Sequence, residues 1–156
     1  VRIRVERDPA FWTAVAAHPA VIGMMNGADP RIIGTLALSD RVMPLAATHG
    51  GFLFIRQDSL GMVCELHTLF TPEGWGREAW AAGIAALGAV WLLNFQVITT
   101  LEMRANERSQ PPRSFGFQRA GDWRPTPHGE ARMWILTKAG WEASPAARRR
   151  RARCLH

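Results

Sequence analysis

The chain has 156 residues, 47% of them hydrophobic and 21% charged, with a formal charge of +6 at pH 7. That length allows a core of ordinary size, and the composition excludes a disordered or collagen-like chain. Arg148, Arg149, Arg150, Arg151 and Arg153 hold five of the surplus positive charges, so residues 1–144 are close to neutral. A broadly basic surface is thereby excluded, leaving a single domain over 1–144 followed by a solvated, disordered basic tail at 145–156.

Val1-Arg2-Ile3-Arg4-Val5-Glu6-Arg7 alternates apolar and polar residues, the pattern of a strand, and its charges do not read as a secretory signal. Asp8-Pro9 supplies an N-cap and a first-turn proline for a helix over Ala10–Ala17 that buries Phe11 and Val15; His18-Pro19 interrupts it. A short helix over Ala20–Met25 ends at Asn26-Gly27, and Asp29-Pro30 starts another. Arg41–Thr48 and Phe52–Gln57 read as a hairpin around His49-Gly50-Gly51, and Asp58-Ser59-Leu60-Gly61 turns into a central strand.

That strand, Met62–Phe70, is followed by Thr71-Pro72-Glu73-Gly74-Trp75-Gly76 and a long helix opened by Arg77 and Glu78. The first N–H groups of a helix lack intrahelical partners and carry the positive end of the peptide dipoles, so a glycine-rich approach can cradle a phosphate or pyrophosphate; the same glycines can also serve only to turn the chain. On the strand, Glu65 and His67 share one face while Cys64, Leu66 and Thr68 take the other. An ionisable pair within an apolar strand needs water or a partner, which places a cleft or a structural network beside it. In the helix, Trp80, Ile84, Leu87 and Trp91 form a stripe for packing on a sheet. Ala81, Gly88, Leu92 and Phe95 form a second apolar strip, to be covered by a partner subunit in a homodimer or by the N-terminal helices.

A strand over Val97–Met103 comes next, then Asn106-Glu107-Arg108-Ser109-Gln110-Pro111-Pro112-Arg113-Ser114-Phe115-Gly116-Phe117, a strand to about Trp123 and another over Ala131–Thr137. Strand, Gly-x-Gly turn, helix, strand, Asn-x-x-Ser and Gly-Phe in this order resemble the GNAT superfamily of N-acetyltransferases, and Glu65–Gly76 is similar to a phrase in phage-encoded members. The resemblance implies an α/β (α+β) fold: a mixed, mostly antiparallel sheet of about six to seven strands, splayed in the middle and flanked by helices on both faces. It implies acetyl-CoA as co-substrate and an amine acceptor, with no metal. Thr71, Gly74, Trp75, Gly76, Arg77 and Glu78 would then bind the pyrophosphate, Leu69 and Phe70 would run beside the pantetheine arm, and Asn106 and Ser109 would contact that arm. Glu65 is the first choice for general base and His67 the second.

Some positions depart from the family pattern. Thr71 stands where glutamine or arginine is usual, Pro111-Pro112 breaks a helix expected there, and the chain has no tyrosine to act as general acid. These departures support a second reading, a GNAT-like binding or structural module without catalysis. A third makes the arginine tail a nucleic-acid or anionic-surface contact. Cys64 and Cys154 lack disulfide or metal spacing, which suits a reducing cytoplasm, and the uncharged run Ala79–Leu101 reads as a buried helix and strand with no membrane span.

Overall fold

In a computed structural model, all residues except Asn26, Leu155 and His156 are described, the side chains of Glu107, Arg153 and Cys154 excepted. The end of the expected helix at Asn26-Gly27 therefore falls partly outside the described residues. Contacts divide the chain into two compact units, Val1–Arg56 with Leu66–Leu87, and Gln57–Glu65 with Gly88–His156, where the sequence suggests one domain over 1–144. The hydrogen-bonded strand order is β1-β2-β3-β4-β5-β8-β6 with β7 on β8, an eight-stranded, mostly antiparallel sheet.

The first unit begins with β1 (Arg4–Val5), antiparallel to β2 (Val42–Ala46), which pairs in turn with β3 (Gly50–Arg56). Between β1 and β2 lie α1 (Pro9–Ala17), α2 (Pro19–Ile22) and α3 (Pro30–Leu38). Asp8 and Asp29 cap α1 and α3 by accepting from Ala10 N and Arg31 N at 2.9 Å each, with the proline at the first helical position, as the Asp-Pro pairs predict. Their apolar faces build a core of Trp12, Val15, Ala16, Val21, Ala37, Val42, Ala46, Leu53 and Leu69. Trp12, buried where Phe11 was expected, donates its indole N–H to Glu6 O at 2.7 Å.

The central strand, β4 (Val63–Phe70), passes from the second unit to the first between Glu65 and Leu66. After it, a 3₁₀ turn (Pro72–Gly74) leads into α4 (Arg77–Val90). The buried stripe of α4 is Ala82, Ala86 and Val90, flanked by Leu87, while Trp80 and Ile84 are only half-buried. The expected stripe is thus rotated, because small residues rather than tryptophan allow the closest approach.

In the second unit, β4 and β5 (Val97–Met103) run parallel, with register pairs from Val63↔Val97 to Glu65↔Thr99. β5 pairs antiparallel with β8 (Gly129–Thr137) along its whole length, and β6 (Gln118–Arg119) and β7 (Arg124–Thr126) also pair with β8. The strand expected up to Trp123 is thus confined to β6, and Arg124–Thr126 forms a short strand of its own.

After β8 come α5 (Lys138–Ala143) and α6 (Pro145–Cys154). The disordered tail is therefore corrected to a helix. Ser144 accepts from Ala147 N at 3.1 Å, Pro145 opens the first turn, and Ala146 and Ala147 are buried. Arginines favour helices and suit a helix C-terminus, so the basic run does not oppose the fold. A Cβ on Gly88 would collide with the Arg150 guanidinium, so α6 covers that point of α4, where the sequence suggested a partner subunit or the N-terminal helices. Among the described residues, no helix is long and apolar enough to cross a membrane.

Candidate functional site

The strand-to-helix junction lies in the first unit, and each glycine has a distinct physical reason. A Cβ at Gly74 would come within 2.8 Å of the Phe70 ring and 2.9 Å of His49 Cβ, so this glycine serves close packing. Gly76 has φ 77° with nothing within 4 Å of a Cβ, so it serves a left-handed turn facing open space. The first i→i−4 bond of α4 runs from Trp80 N to Gly76 O at 2.9 Å, leaving the N–H groups of Arg77, Glu78 and Ala79 as those a helix start does not satisfy internally. Gly74 N and Trp75 N are different: they donate to Thr71 O at 2.9 Å and Pro72 O at 3.2 Å, closing the 3₁₀ turn. The amides that the helix start leaves without internal partners thus begin after Gly74 and Trp75, whose own N–H groups are occupied.

A cleft of about 900 Å³ opens beside this junction, lined by Val1, Arg2, Arg4, Thr48, Glu73, Trp75, Arg77 and Glu78. Trp75 is fixed by its indole N–H, which donates to Phe70 O at 2.9 Å. The Glu78 side chain, expected at the cofactor, is engaged elsewhere: Oε1 accepts from Thr48 N at 2.9 Å and His49 N at 3.0 Å, and Oε2 meets His49 Nδ1 at 2.7 Å. Partial burial works to raise its pKa, but the His49 ring and the two amides outweigh this and hold it below 4.5. Glu78 thereby ties the β2–β3 turn to the start of α4. Thr71 N donates to His49 O at 2.9 Å, so the same turn is held from the other side.

Leu69 and Phe70 are buried; Leu69 joins the core and Phe70 packs edge-on against Phe52 at 5.3 Å. Their side chains are structural, and the Phe70 carbonyl is taken by Trp75. Exposed His67 belongs to the first unit, and half-exposed Glu65, to which Gln57 Nε2 donates at 3.1 Å, belongs to the second. Neither lines the cleft. Asn106 and Ser109, in the second unit, are both occupied locally. Asn106 Oδ1 caps a 3₁₀ turn by accepting from Arg108 N at 3.1 Å. Ser109 Oγ accepts from Met103 N at 2.7 Å and donates to Asn106 O at 2.6 Å, terminating β5. The Ser109 hydroxyl thus caps its own turn, where the resemblance placed it at the pantetheine arm. The Pro111-Pro112 pair separates this turn from a second 3₁₀ turn at Arg113–Phe115, as prolines at those positions require.

Three features escaped the sequence reading. Arg2 and Arg4 line the cleft although the alternating N-terminal pattern shows only a strand. His49 forms the pair with Glu78. Glu102 is 7% exposed and pairs with Arg132 at 2.5 Å and 3.0 Å while accepting from the Trp134 indole at 2.6 Å. Arg132 also lies 4.4 Å from the Trp123 ring centroid. Burial works to raise the Glu102 pKa, and the bonds from Arg132 and Trp134 reverse this and hold it below 4.5. Cys64 is fully buried, and desolvation pushes its thiol up to about 12, which removes it as a nucleophile.

No protein-family model and no curated protein sequence matches the chain. Solved structures do. Aminoglycoside acetyltransferase AAC(6')-Ib, in complex with paromomycin and acetyl-CoA, aligns over 90% of this chain and 95% of its own with a TM-score of 0.65 at 16% identity. A GNAT-family acetyltransferase from Bacillus anthracis aligns over 88% and 94% at 0.67 and 17% identity. The chain has the GNAT fold. A chimera of the Vibrio cholerae spermidine N-acetyltransferase SpeG extends the likeness, covering 91% of this chain and 98% of its own at 0.68 and 14% identity. Two of these neighbours are named for different amines, aminoglycosides and spermidine, so the fold leaves the acceptor open.

Proposed function

We propose that the chain is an acyl-CoA-dependent N-acyltransferase that moves an acetyl group directly from acetyl-CoA to an amine. The observation that carries this reading is the start of α4, where Gly76 turns the chain beside open space and the first N–H groups of the helix lack intrahelical partners next to a cleft lined by Arg2, Arg4 and Arg77. Such an end suits the pyrophosphate of a coenzyme A ester. The acetyl-CoA and coenzyme A complexes among the structural neighbours support the donor.

In direct transfer the amine nitrogen attacks the thioester carbonyl, the C–N bond forms, the C–S bond breaks, and the thiolate takes a proton. Positioning supplies much of such a rate, and a base must remove the ammonium proton. Glu65 is our choice for that base, acting directly or through water, with His67 as the alternative. The inert Cys64 thiol favours direct transfer over an acyl-cysteine intermediate.

Isothermal titration with acetyl-CoA tests the donor site, with an expected dissociation constant on the order of 1–100 μM. Gly76→Asn is the informative variant, since asparagine tolerates a positive φ and adds a side chain to the open space at the helix start. Binding should fall at least about tenfold, the loss expected when a charge-assisted phosphate contact is blocked. A folded native chain that binds no acetyl-CoA refutes the proposal. Tight binding without thiol release across a panel of amines favours instead the non-catalytic module, which the local engagement of Asn106 and Ser109 supports.

A further inference from the structure

The second half of α6 is helical without being a packing surface. Arg148, Arg149, Arg150 and Arg151 follow one another and, with Ala152, are all exposed. At 3.6 residues per turn, successive exposed residues point all round the axis, whereas a helix that packs by one face shows burial every third or fourth residue. Upstream, buried Ala146 and Ala147 seat the first turn. Arg150 lies across Gly88 of α4. Arg149 and Arg151 therefore project about 100° to either side of it, and Arg148 stands on the outer crest between them. Arg151 is tethered by donating to Glu142 O at 3.0 Å. The turn at Arg113–Phe115, against which α6 packs, adds the exposed Arg113. Glu142 is the single acidic residue among residues 131–156. The helix dipole calls for cations in the last turn, but this run starts in mid-helix and sets Arg148 and Arg151 at i, i+3, a like-charge repulsion that an outside polyanion relieves.

We propose that α6 is a docking element for double-stranded DNA, which it holds through the phosphates. Consecutive arginines place a positive charge about every 1.5 Å along the helix, close to the one negative charge per about 1.7 Å of duplex axis. The major groove, about 12 Å wide, admits a helix of about 10–12 Å diameter. Arg149 and Arg151, on opposite flanks, then face the phosphate rows on its two sides, and guanidinium forks grip phosphate oxygens in pairs. A lipid surface fits this helix less well, because a helix that lies on lipid presents Trp, Phe or Leu on one face and residues 148–152 hold none. Docking on DNA is a property separate from acyl transfer and stands independently of it.

The test is fluorescence anisotropy of the full chain with a labelled DNA duplex of arbitrary sequence. The dissociation constant should be on the order of 1 μM at about 50 mM salt and weaken about a hundredfold by about 200 mM, as the neutralisation of some four phosphates requires. The triple variant Arg148→Gln, Arg149→Gln, Arg151→Gln keeps good helix formers at exposed positions, so its circular dichroism should match the native chain while its affinity falls at least about thirtyfold. Lysine at the same three positions keeps the charge and should hold affinity within about tenfold, which a merely structural role for the arginines would not predict. Absence of duplex binding at the lower salt, or binding that the glutamine variant retains, overturns the proposal. Tighter binding to a single strand of the same length overturns the seating in a groove. Preference for phosphatidylcholine vesicles holding one-third phosphatidylserine, with the duplex left unbound, overturns it in favour of a membrane surface.

Discussion

Glu102 and Cys64 show how burial assigns opposite fates to two ionisable side chains of one sheet. Glu102 keeps its charge because Arg132 and the Trp134 indole fill its oxygens, whereas Cys64 has no such partner among the described residues and stays a neutral thiol. Glu102→Gln removes a buried charge and leaves Arg132 without its counter-ion, so it should cost about 3 kcal/mol in urea unfolding. The Cys64 peptide should escape alkylation by iodoacetamide in the folded chain and react only after denaturation, as read by mass spectrometry; labelling at the native rate of a free thiol would contradict the buried placement. The Glu102–Arg132 pair was not legible in the sequence, because the two are 30 residues apart and meet only through the β5–β8 register. Glu65 shows the same limit: the hydrogen bond it accepts from Gln57 is set by the fold and not by the strand pattern.

Among the elements, caps were the most legible and helix faces the least. Asp8-Pro9 and Asp29-Pro30 announce α1 and α3 because an N-cap is a contact within three residues. Ser144-Pro145 carries the same signature for α6, and the arginines behind it drew the reading toward a tail. Ser144→Ala should destabilise the chain by about 1 kcal/mol, the usual worth of such a cap, with loss of helical ellipticity. The two glycines buried at α4 and its approach should respond in opposite directions. At Gly88 the atoms nearest a methyl group belong to the movable end of Arg150, so Gly88→Ala should be neutral or stabilising by up to about 1 kcal/mol through helix propensity. At Gly74 it meets the Phe70 ring and His49 Cβ, so Gly74→Ala should destabilise by about 1–3 kcal/mol. Thermal melts of both variants separate propensity from packing.

Acid stability of the whole molecule follows from carboxylates that the fold keeps ionised. Glu78 and Glu102 both titrate below 4.5, despite burial, because His49 and Arg132 with Trp134 favour the charged forms. The unfolded chain therefore binds more protons than the folded one in this range. The stability these groups contribute is fully present above their unfolded value near 4.5 and is lost as pH falls through their lower folded values. Urea midpoints should be level from pH 7 to 5 and drop below about pH 4.5, less steeply in Glu102→Gln. A native midpoint that stays level down to pH 3 would contradict both placements.

The amino-acid order alone determined the capped helices α1 and α3, the central strand and the glycine junction before α4, since periodicity, caps and turns act over a few residues. Only the tertiary structure decided that Arg2 and Arg4 join Arg77 at one cleft, that Glu78 is spent on His49, and that Asn106 and Ser109 cap their own turns. Those outcomes depend on strand register and on which distant groups meet, and a charged side chain takes the partner that the fold brings within hydrogen-bonding reach.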